Sequence, residues 1–259
     1  MNHRNNVPLV SIVMPAYNAE RFVEQAVRSV MQQTVTDWEL LVLDDGSKDG
    51  TKQILQRLAQ EDDRIRFLPN AHNMGVAKTR NRGFDLCCGQ YIALLDSDDL
   101  WHPDKLEKQL AMLQQKNADL VYTSYAIINS DNQQTRADYL VPESVSFDQL
   151  LKENVIGCST VLFSAKILEK YRFSTDFYHE DLALWLCLLR DGYRAVGCRE
   201  VLTDWRYLEN SRSFDKRKSA GNRWRIYRHY LKLPFGKSAV CFASYALRGL
   251  KKYAKTNKC

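Results

Sequence analysis

The sequence contains no apolar run long enough to cross a membrane. Its longest run, residues 182–189, is less than half of the roughly 20 residues that a spanning helix needs. The first eight residues, MNHRNNVP, are polar and lack the apolar core of a secretion signal. With 45% hydrophobic and 26% charged residues, the composition is typical of a globular domain. We therefore expect a soluble, cytoplasmic protein.

Cysteine pairs at the spacing of a metal site are also absent. The seven cysteines are odd in number, show no CxxC pattern and have no histidine at zinc-ligand spacing. This argues against a zinc framework and indicates reduced thiols in the cytosol. Internal repeats and linkers rich in glycine, proline or serine are missing too. A chain of 259 residues with these properties is expected to form one domain, residues 1–211, followed by a helical extension, residues 212–259.

Acidic residues are scarce in the C-terminal extension. It carries 14 lysines and arginines against a single acid, Asp215, whereas the rest of the chain has 23 basic and 30 acidic residues. An acidic body with a basic tail suits a protein that works at an anionic surface. The extension is predicted to form two helices, residues 216–233 and 237–253, which the sequence PFG separates.

Two interpretations of these helices stay open. They are either ordinary solvated helices that pack on the body, or they dock on a membrane surface. In the second case basic residues attract anionic lipid while aromatic side chains lie at the level of the lipid headgroups. The aromatic residues in question are Trp224, Tyr227, Tyr230 and Phe235. The membrane surface is therefore a candidate partner, with the protein peripheral on the inner face of the cytoplasmic membrane.

Short apolar strands alternate with amphipathic helices over the first half of the chain. Strands are predicted at residues 9–14, 38–43, 65–68 and 91–95. The segments between them have the helical period, and Asn18 is expected to cap a helix over residues 19–33. This βαβαβαβ alternation predicts an α/β fold with a mostly parallel sheet flanked by helices.

The pattern of the second half is less regular. Strands are predicted at residues 120–128, 155–163 and 201–207, with a short helix at 147–152. Residues 131–142 are polar and are expected to form a mobile loop. The sequence FYHEDLALWLCLLRDG predicts a helix with His179, Glu180 and Asp181 in its first turn. The globular part is thus expected to close near residue 207.

Three strands of the predicted sheet end in the polar motifs PAYN (residues 15–18), DDGS (44–47) and DSDD (96–99). Ligands bind outside the carboxyl ends of the strands in such sheets, so we expect the motifs to form one site. Asp96 and Asp98 repel each other unless a cation lies between them, and oxygen ligands suit Mg²⁺ or Mn²⁺ together with substrate phosphates. The alternative is a solvated turn that caps the next helix, a role expected for Asp99.

Four segments together resemble glycosyltransferase family 2, whose members have the GT-A fold, a Rossmann-like α/β sheet. They are VSIVMPAYNAERFVEQAVRSVMQQT, ELLVLDDGSKDGT, NMGVAKTRNRG and YIALLDSDDLWHPDKLEKQ, and the likeness resumes at HEDLALWL. The tail patterns RWRIYRHYLKL and SYALRGLKKY are similar to those of small bacterial transferases that build capsular, teichuronic or O-antigen polysaccharides. The resemblance implies transfer of a sugar from a nucleotide-sugar donor, favouring UDP, to a saccharide acceptor that is linked to a polyprenyl diphosphate.

The resemblance places the nucleotide at the first two motifs. It implies that Asp45 accepts the imide N–H of a uracil and that Tyr17 lies against the base. The other nucleotide-binding positions that it implies are Pro15, Ala16, Asn18, Asp44, Gly75, Arg80, Asp96 and Ser97. Arg80 or Lys78 would neutralise phosphate. The alternatives are that residues 44–47 form only a turn and an N-cap, and that both basic side chains are solvated.

The family pattern also implies a metal site. Asp98, together with Asp96, would hold Mn²⁺ or Mg²⁺ across the two phosphates of the donor. The cation would act as a Lewis acid on the departing nucleoside diphosphate, whose developing charge is the main barrier to the reaction.

The acceptor hydroxyl needs a general base, since a sugar alcohol is a poor nucleophile at neutral pH. The resemblance places this base at Asp181, with Glu180 and His179 as neighbours that tune it or bind the acceptor. The alternative is that Glu180 and Asp181 only favour a helix N-terminus through the helix dipole. A single displacement inverts the anomeric centre, so an α-linked donor would give a β-linkage.

The chain departs from the processive members of the family. Those carry a QxxRW motif and membrane helices, whereas here Ala220 stands where the glutamine would precede Arg223-Trp224. We therefore expect one sugar to be added per encounter. Two other classes are a nucleotidyltransferase of similar architecture, which would carry a Gly-rich basic loop after the first strand, and a nucleic-acid binder that uses the basic tail. PAYNAERF is not such a loop, and the acidic body has no nucleic-acid-binding motif, so no nucleic-acid partner is expected.

Overall fold

A nine-stranded sheet organises the part of the chain that the computed structural model describes, residues 7–208 and 216–256, with side chains described except at 216, 217 and 249–256. The strands are β1 (Val10–Ala16), β2 (Trp38–Asp44), β3 (Ile65–Phe67), β4 (Tyr91–Leu94), β5 (Leu100–Trp101), β6 (Leu120–Ile128), β7 (Gln134–Tyr139), β8 (Val161–Ser164) and β9 (Ala195–Arg206). The helices are α1 (Val23–Met31), α2 (Thr51–Glu61), α3 (Val76–Leu86), α4 (Lys105–Lys116), α5 (Phe147–Lys152), α6 (Glu180–Arg190), α7 (Lys216–Arg225) and α8 (Phe235–Thr256). The strand order is β3-β2-β1-β4-β8-β6-β9-β5, and β7 pairs with β6.

The first four strands are parallel, as the alternation of strands and helices predicts. β2 and β4 both pair with β1, and β3 pairs with β2. Successive side chains of a strand point to opposite faces, so Val13 and Leu41 pack with α3 while Ile12 and Leu40 pack with α1 and α2. Both faces of β1 and β2 are therefore buried, which explains their continuous apolar sequences. The prediction of an α/β fold is confirmed.

The second half of the sheet is mixed. β8 pairs antiparallel with both β4 and β6, and β9 lies parallel to β6. The strand predicted at residues 155–163 is wrong in its first part, because Cys158–Thr160 form a 3₁₀ turn and only β8 is extended. Both the N–H and the hydroxyl of Thr160 donate to the carbonyl of Gly157, at 3.1 and 2.7 Å, and these bonds stabilise the turn.

Residues 131–142 are not the mobile loop that their polarity suggested. Half of them form β7, which pairs antiparallel with β6. Tyr139 stacks on Tyr125 with ring centroids 5.0 Å apart, and the Asn129 side chain accepts two backbone N–H groups in the connecting turn, both at 2.9 Å. The strand is polar because it lies at an edge of the sheet with most of its side chains in solvent.

Asn18 does not cap α1, which begins at Val23 with Phe22 at the N-cap position. Its backbone is left-handed, with φ of 47°, and its side-chain oxygen accepts the N–H of Lys48 at 2.9 Å. The N–H of Asn18 donates to the Ser47 hydroxyl, also at 2.9 Å. The prediction of a helix cap is wrong because Asn18 joins the loop after β1 to the loop after β2 instead.

The helix α7 packs on the body of the protein. It continues into a π-helical turn, Ile226–Tyr230, whose Ile226 and Tyr227 are fully buried in the same core as α5 and α6. Arg223 donates to the carbonyl of Leu151 at 2.9 Å, and the Tyr227 hydroxyl donates to the same carbonyl. Tyr227 therefore does not lie at a lipid surface, and that part of the docking prediction is wrong.

Aromatic contacts join α7 to α8 and to the body. Trp224 packs edge-on against Phe235 and Phe242 with ring centroids 5.9 and 5.6 Å apart, and Tyr230 packs on Phe177 at 5.0 Å. In the described part of the chain, no helix has both the length and the hydropathy of a membrane span. The predicted division between residues 211 and 212 lies outside the described residues and stays a prediction.

Gly83 sets how closely α3 approaches β1. A Cβ at this position would lie 2.5 Å from Cγ1 of Val13 and 3.1 Å from Cδ1 of Leu43. Gly83→Ala is therefore expected to lower the free energy of unfolding by about 1–3 kcal/mol through overpacking. The control is Gly221→Ala in α7, where no atom of the described residues lies within 4 Å of the added Cβ and alanine favours the helix by about 1 kcal/mol. Urea denaturation measures both changes, and an unaltered midpoint for Gly83→Ala contradicts the packing.

Candidate active site

The loops after β1, β2 and β4 leave the sheet side by side. The strand register pairs Ala16 with Asp44 and Val13 with Leu94. The first two loops are also joined directly, since the N–H of Asp45 donates to the carbonyl of Ala16 at 2.7 Å. The structure thus brings the motifs PAYN, DDGS and DSDD together at one edge of the sheet.

The Asp45 carboxylate organises the loop that precedes α3. It is buried and accepts the N–H groups of Met74 and Gly75, both at 2.9 Å, and the side-chain amide of Asn70 at 2.8 Å. Gly75 has a φ of 86°, which glycine adopts without strain. Three of the roughly four acceptor positions of this carboxylate are therefore used, and one is left for a ligand. Its contact with a uracil stays a prediction.

The other predicted nucleotide residues differ in exposure. Pro15 and Ala16 are buried at the end of β1, whereas Tyr17 is 46% exposed at the rim beside Asn18. An exposed aromatic ring next to a strand end is free to stack on a base. Asp44 is buried, and its carboxylate accepts the Ser47 N–H at 3.1 Å. These positions form one wall of the site.

Asp99 does not cap the helix that follows, so that prediction is wrong. Its side chain is buried and accepts the hydroxyl of Ser159 and the N–H of Arg206, the latter at 2.8 Å. The Ser159 hydroxyl in turn accepts the N–H of Asp96 at 3.0 Å. The 3₁₀ turn that interrupts the predicted strand therefore fixes both ends of the DSDD motif.

Arg206, at the end of β9, is a site residue that the sequence did not indicate. Its Nε donates to the carbonyl of Asp98 at 2.7 Å and an Nη donates to the carbonyl of Asn129 at 2.6 Å. The guanidinium lies 4.5 Å from the ring centroid of Phe22. The side chain is fully buried, so it fixes the backbone of the motif without facing solvent. An arginine at the end of a strand carries no sequence signal that distinguishes it from a surface residue.

The two carboxylates predicted to bind metal are half-buried, as is Ser97 between them. Burial, and then the charge of Asp96, raises the pKa of Asp98 to about 6. Among the described residues no group of three or more His, Cys, Asp or Glu side chains is placed to hold a metal. Two carboxylate oxygens plus the phosphates of a bound nucleotide do suit Mg²⁺ or Mn²⁺, so Asp96 and Asp98 fit a cation that arrives with its nucleotide.

Arg80 lies inside the protein and bridges two acidic side chains. It is only 4% exposed; Nη1 donates to Glu180 at 2.6 Å and Nη2 donates to Asp96. Burial alone would lower its pKa, but Cys158, Asp96 and Glu180 together raise it above the ordinary arginine value. Arg80 is thus a permanent cation next to the metal candidates, and it is not the solvated helix residue of the alternative interpretation.

The two acidic residues at the start of α6 differ in burial. Glu180 is buried against Arg80, whereas Asp181 is half-buried at the edge of the site. His179 occupies the N-cap position, and its ring packs against Tyr178 with centroids 5.1 Å apart. Glu180 is thus held by Arg80 and Asp181 is the more exposed member of the pair; its role as a general base stays a prediction.

The Cys158 thiol marks the centre of the acidic cluster. Its pKa is raised first by burial and then by the charges of Asp96, Asp181 and Glu180, while Arg80 opposes the shift. These four charged groups come from α3, from the loop after β4 and from α6. Asp96, one of the two metal candidates, and Asp181, the predicted base, thus both act on the same thiol.

Comparison with known proteins identifies the family of this chain. Residues 11–172 match the model of glycosyl transferase family 2. The chain belongs to glycosyltransferase family 2. It is 38% identical over 245 residues to a glycosyltransferase of Bacillus subtilis named for teichuronic acid biosynthesis, TuaG, covering 95% of this chain and 97% of the relative. It is 36% identical over 248 residues, 95% of each chain, to the Escherichia coli UDP-Glc:alpha-D-GlcNAc-diphosphoundecaprenol beta-1,3-glucosyltransferase WfgD.

Solved glycosyltransferases share the fold of this family 2 member. S. aureus TarS 1–349 in complex with UDP-GlcNAc superposes with a TM-score of 0.73 over 92% of this chain and 71% of that chain, at 16% identity. The mannosyltransferase PcManGT of Pyrobaculum calidifontis, in complex with GDP-Man and Mn²⁺, gives 0.69 over 94% and 70%, at 17% identity. The predicted GT-A fold is confirmed. Family membership favours a glycosyltransferase over the nucleotidyltransferase and the nucleic-acid binder.

Proposed function

We propose that this glycosyltransferase moves one sugar from a UDP-sugar to a saccharide carried on a polyprenyl diphosphate, during assembly of a bacterial surface polysaccharide such as a capsule or lipopolysaccharide. The support is the near-complete overlap with relatives named for teichuronic acid biosynthesis and for a diphosphoundecaprenol acceptor. The fold is also shared with an enzyme solved with UDP-GlcNAc. Acceptors of this kind lie in the membrane, so the enzyme works at the inner face of the cytoplasmic membrane.

The donor lies along the rim built from three strand ends. Tyr17 stacks on the base, and the remaining acceptor position of Asp45 takes the base N–H. The diphosphate reaches Asp96 and Asp98, which would hold Mn²⁺ or Mg²⁺. When bound, the cation supplies charge neutralisation for the departing diphosphate. Arg80 adds a second, permanent positive charge behind Asp96.

Asp181 acts as the general base. It takes the proton from the acceptor hydroxyl as the oxygen attacks the anomeric carbon and the bond to the nucleoside diphosphate breaks. One displacement of this kind inverts the anomeric centre, so an α-linked donor gives a β-linked product. The observation that carries the proposal is the convergence of the loops after β1, β2 and β4 at one edge of the sheet, together with a half-buried Asp181 next to Glu180, the partner of Arg80.

A thermal-shift panel of UDP-, GDP- and dTDP-sugars, with and without Mn²⁺, tests the donor and the metal. A ligand at 100 times its Kd stabilises a protein by about 2.7 kcal/mol, which raises Tm by about 5–10 °C in a chain of this size. We expect such a rise for the UDP-sugar with Mn²⁺ and a much smaller one without it.

Asp98→Asn should remove the Mn²⁺-dependent part of the shift, because it leaves a single carboxylate for the cation. Asp131→Asn is the matched control, since that carboxylate is exposed and its contacts are with Arg21 at 3.2 Å and with the hydroxyl of Ser130 at 3.3 Å, both outside the proposed metal site. A larger shift with a GDP- or dTDP-sugar contradicts the choice of UDP. An Asp98→Asn protein that still responds to Mn²⁺ contradicts the metal assignment.

A further inference from the structure

The helix α8 leaves one apolar side uncovered. Val240 and Leu247 are 66% and 60% exposed, and Ala243 between them is exposed as well. Spacings of three and four residues place these side chains on one side of a helix; this side is called the outer face of α8. Phe235, at the start of the helix, adds a further side chain that is 66% exposed. Large apolar side chains grouped in this way mark an interaction surface.

The opposite side of α8 is held firmly on the protein. Ser238 and Cys241 are buried, and Phe242 packs on Trp224 of α7. Two ion pairs tie α8 to the region of α5: Lys237 with Asp148 at 2.7 Å and Arg248 with Glu153 at 2.6 Å. The helix is thus anchored by one side while the outer face points away from every described element.

The positive charge of this region indicates which kind of surface binds to the outer face. From residue 216 onward the sequence has no acidic residue, and α8 contains three lysines in addition to the ion-paired Lys237 and Arg248. A second copy of the chain would bring the same positive helix against this one, and like charges oppose that contact. A surface that is both apolar and anionic matches the helix in both respects.

We propose that the outer face of α8 docks on an anionic lipid surface. This inference rests on the proposed function, because a lipid-linked acceptor has to be reached at such a surface. It differs from the docking expected from the sequence, in which Trp224, Tyr227, Tyr230 and Phe235 met the lipid. Tyr227 is buried, and Trp224 and Tyr230 are half-buried against other aromatic rings, whereas Phe235 stays exposed at the start of α8. Val240 and Leu247 of α8 therefore take the place of the first three.

Docking at α8 also bears on the catalytic groups. The side-chain oxygen of Asn222 in α7 accepts the N–H of Tyr178 at 2.8 Å, and Tyr178 precedes Asp181 by three residues. Trp224, two residues further along α7, packs on Phe235 and Phe242 of α8. Binding of α8 to a membrane would therefore fix the distance between the lipid surface and the segment that precedes Asp181.

Flotation with vesicles tests the proposal, using phosphatidylcholine alone and phosphatidylcholine mixed with anionic phosphatidylglycerol, to which basic segments are attracted. Wild-type protein should float with the anionic vesicles only, and less so at high salt. The double variant Val240→Gln/Leu247→Gln should bind about tenfold more weakly, since two apolar side chains leave the interface. Leu140→Gln is the control, because Leu140 is 55% exposed and lies just after β7, outside α8.

Ala243→Leu adds an apolar side chain to the outer face and should bind anionic vesicles more tightly than wild type. A folding defect would not produce such an increase in affinity. Equal binding of wild type and the double variant to anionic vesicles overturns the proposal. So does a wild-type dimer without lipid that the double variant converts to monomer, because the outer face is then a contact between copies. Turnover of the donor with a detergent-soluble acceptor is measured in parallel. If the wild-type protein shows no turnover, the proposed function is contradicted. If the double variant turns over as fast as wild type but binds vesicles less, the substitutions affect membrane docking and not sugar transfer.

Discussion

Asp181→Asn is expected to lower the rate of sugar transfer by about 10²–10⁴-fold, the usual contribution of a general base. The amide that replaces the carboxylate has nearly the same shape but cannot accept the proton of the acceptor hydroxyl. Donor binding should be unchanged, because the proposed nucleotide site lies at the loops after β1 and β2. Release of nucleoside diphosphate in the presence of acceptor measures turnover, and the thermal shift with donor measures binding.

A matched substitution in the same segment controls for general effects of charge. Asp176 is exposed and precedes α6 by four residues, so Asp176→Asn should transfer at nearly the wild-type rate. Glu180→Gln should retain more activity than Asp181→Asn if Glu180 serves mainly as the partner of Arg80. Near wild-type turnover by Asp181→Asn would show that the base lies elsewhere.

Arg80→Met is expected to reduce transfer at least about 100-fold and to lower the free energy of unfolding by about 3–5 kcal/mol. Both effects follow from the position of Arg80 between Glu180 and Asp96. Removing one partner of a buried ion pair leaves the other charge unpaired, and that is the source of the large loss in stability. The loss in transfer follows because Asp96 would lose the contact that orients it toward the donor phosphates.

A second substitution separates these two effects. In Arg80→Met/Glu180→Gln the unpaired buried charge is gone, so most of the stability should return while transfer stays low. Arg57→Met on α2 is the control for a lost surface ion pair, since its contacts with Glu24 and Glu61 are half-exposed, and it should cost less than about 1 kcal/mol. Recovery of transfer in the double variant would show that Arg80 acts on folding alone and does not position Asp96.

The parallel half of the fold could be predicted because its signals are local. Each of β1, β2 and β4 is a short apolar run that ends in polar residues, and the helices between them have an apolar stripe. Parallel strands connected by helices place their carboxyl ends at one edge. The convergence of Tyr17, Asp45 and Asp98 therefore follows from the sequence, although the contacts of these residues with substrate stay predictions.

The remainder of the site depends on pairings between distant residues. Arg80 meets Glu180 across 100 positions, and the N–H of Arg206 meets Asp99 across 107. Ser159 joins both ends of the DSDD motif only because an apolar segment is bent by a 3₁₀ turn. Periodicity describes which side of an element is apolar, but not which polar group it faces in another element. For this reason the sequence left open a solvated Arg80, missed its pairing with Glu180, and predicted Asp99 to be a cap.

Ile226 and Tyr227 belong to the tail but are buried in the core of the body, and this limits which segments can be exchanged between this enzyme and its relatives. A chimera joined near residue 211 would graft a foreign α7 onto α5 and α6, and the carbonyl of Leu151 would lose Arg223 and Tyr227 as donors. The loop before Asp181 would lose Asn222 as well. A chimera meant to exchange acceptor preference between such enzymes should therefore transfer the whole continuous segment from α5 through α8.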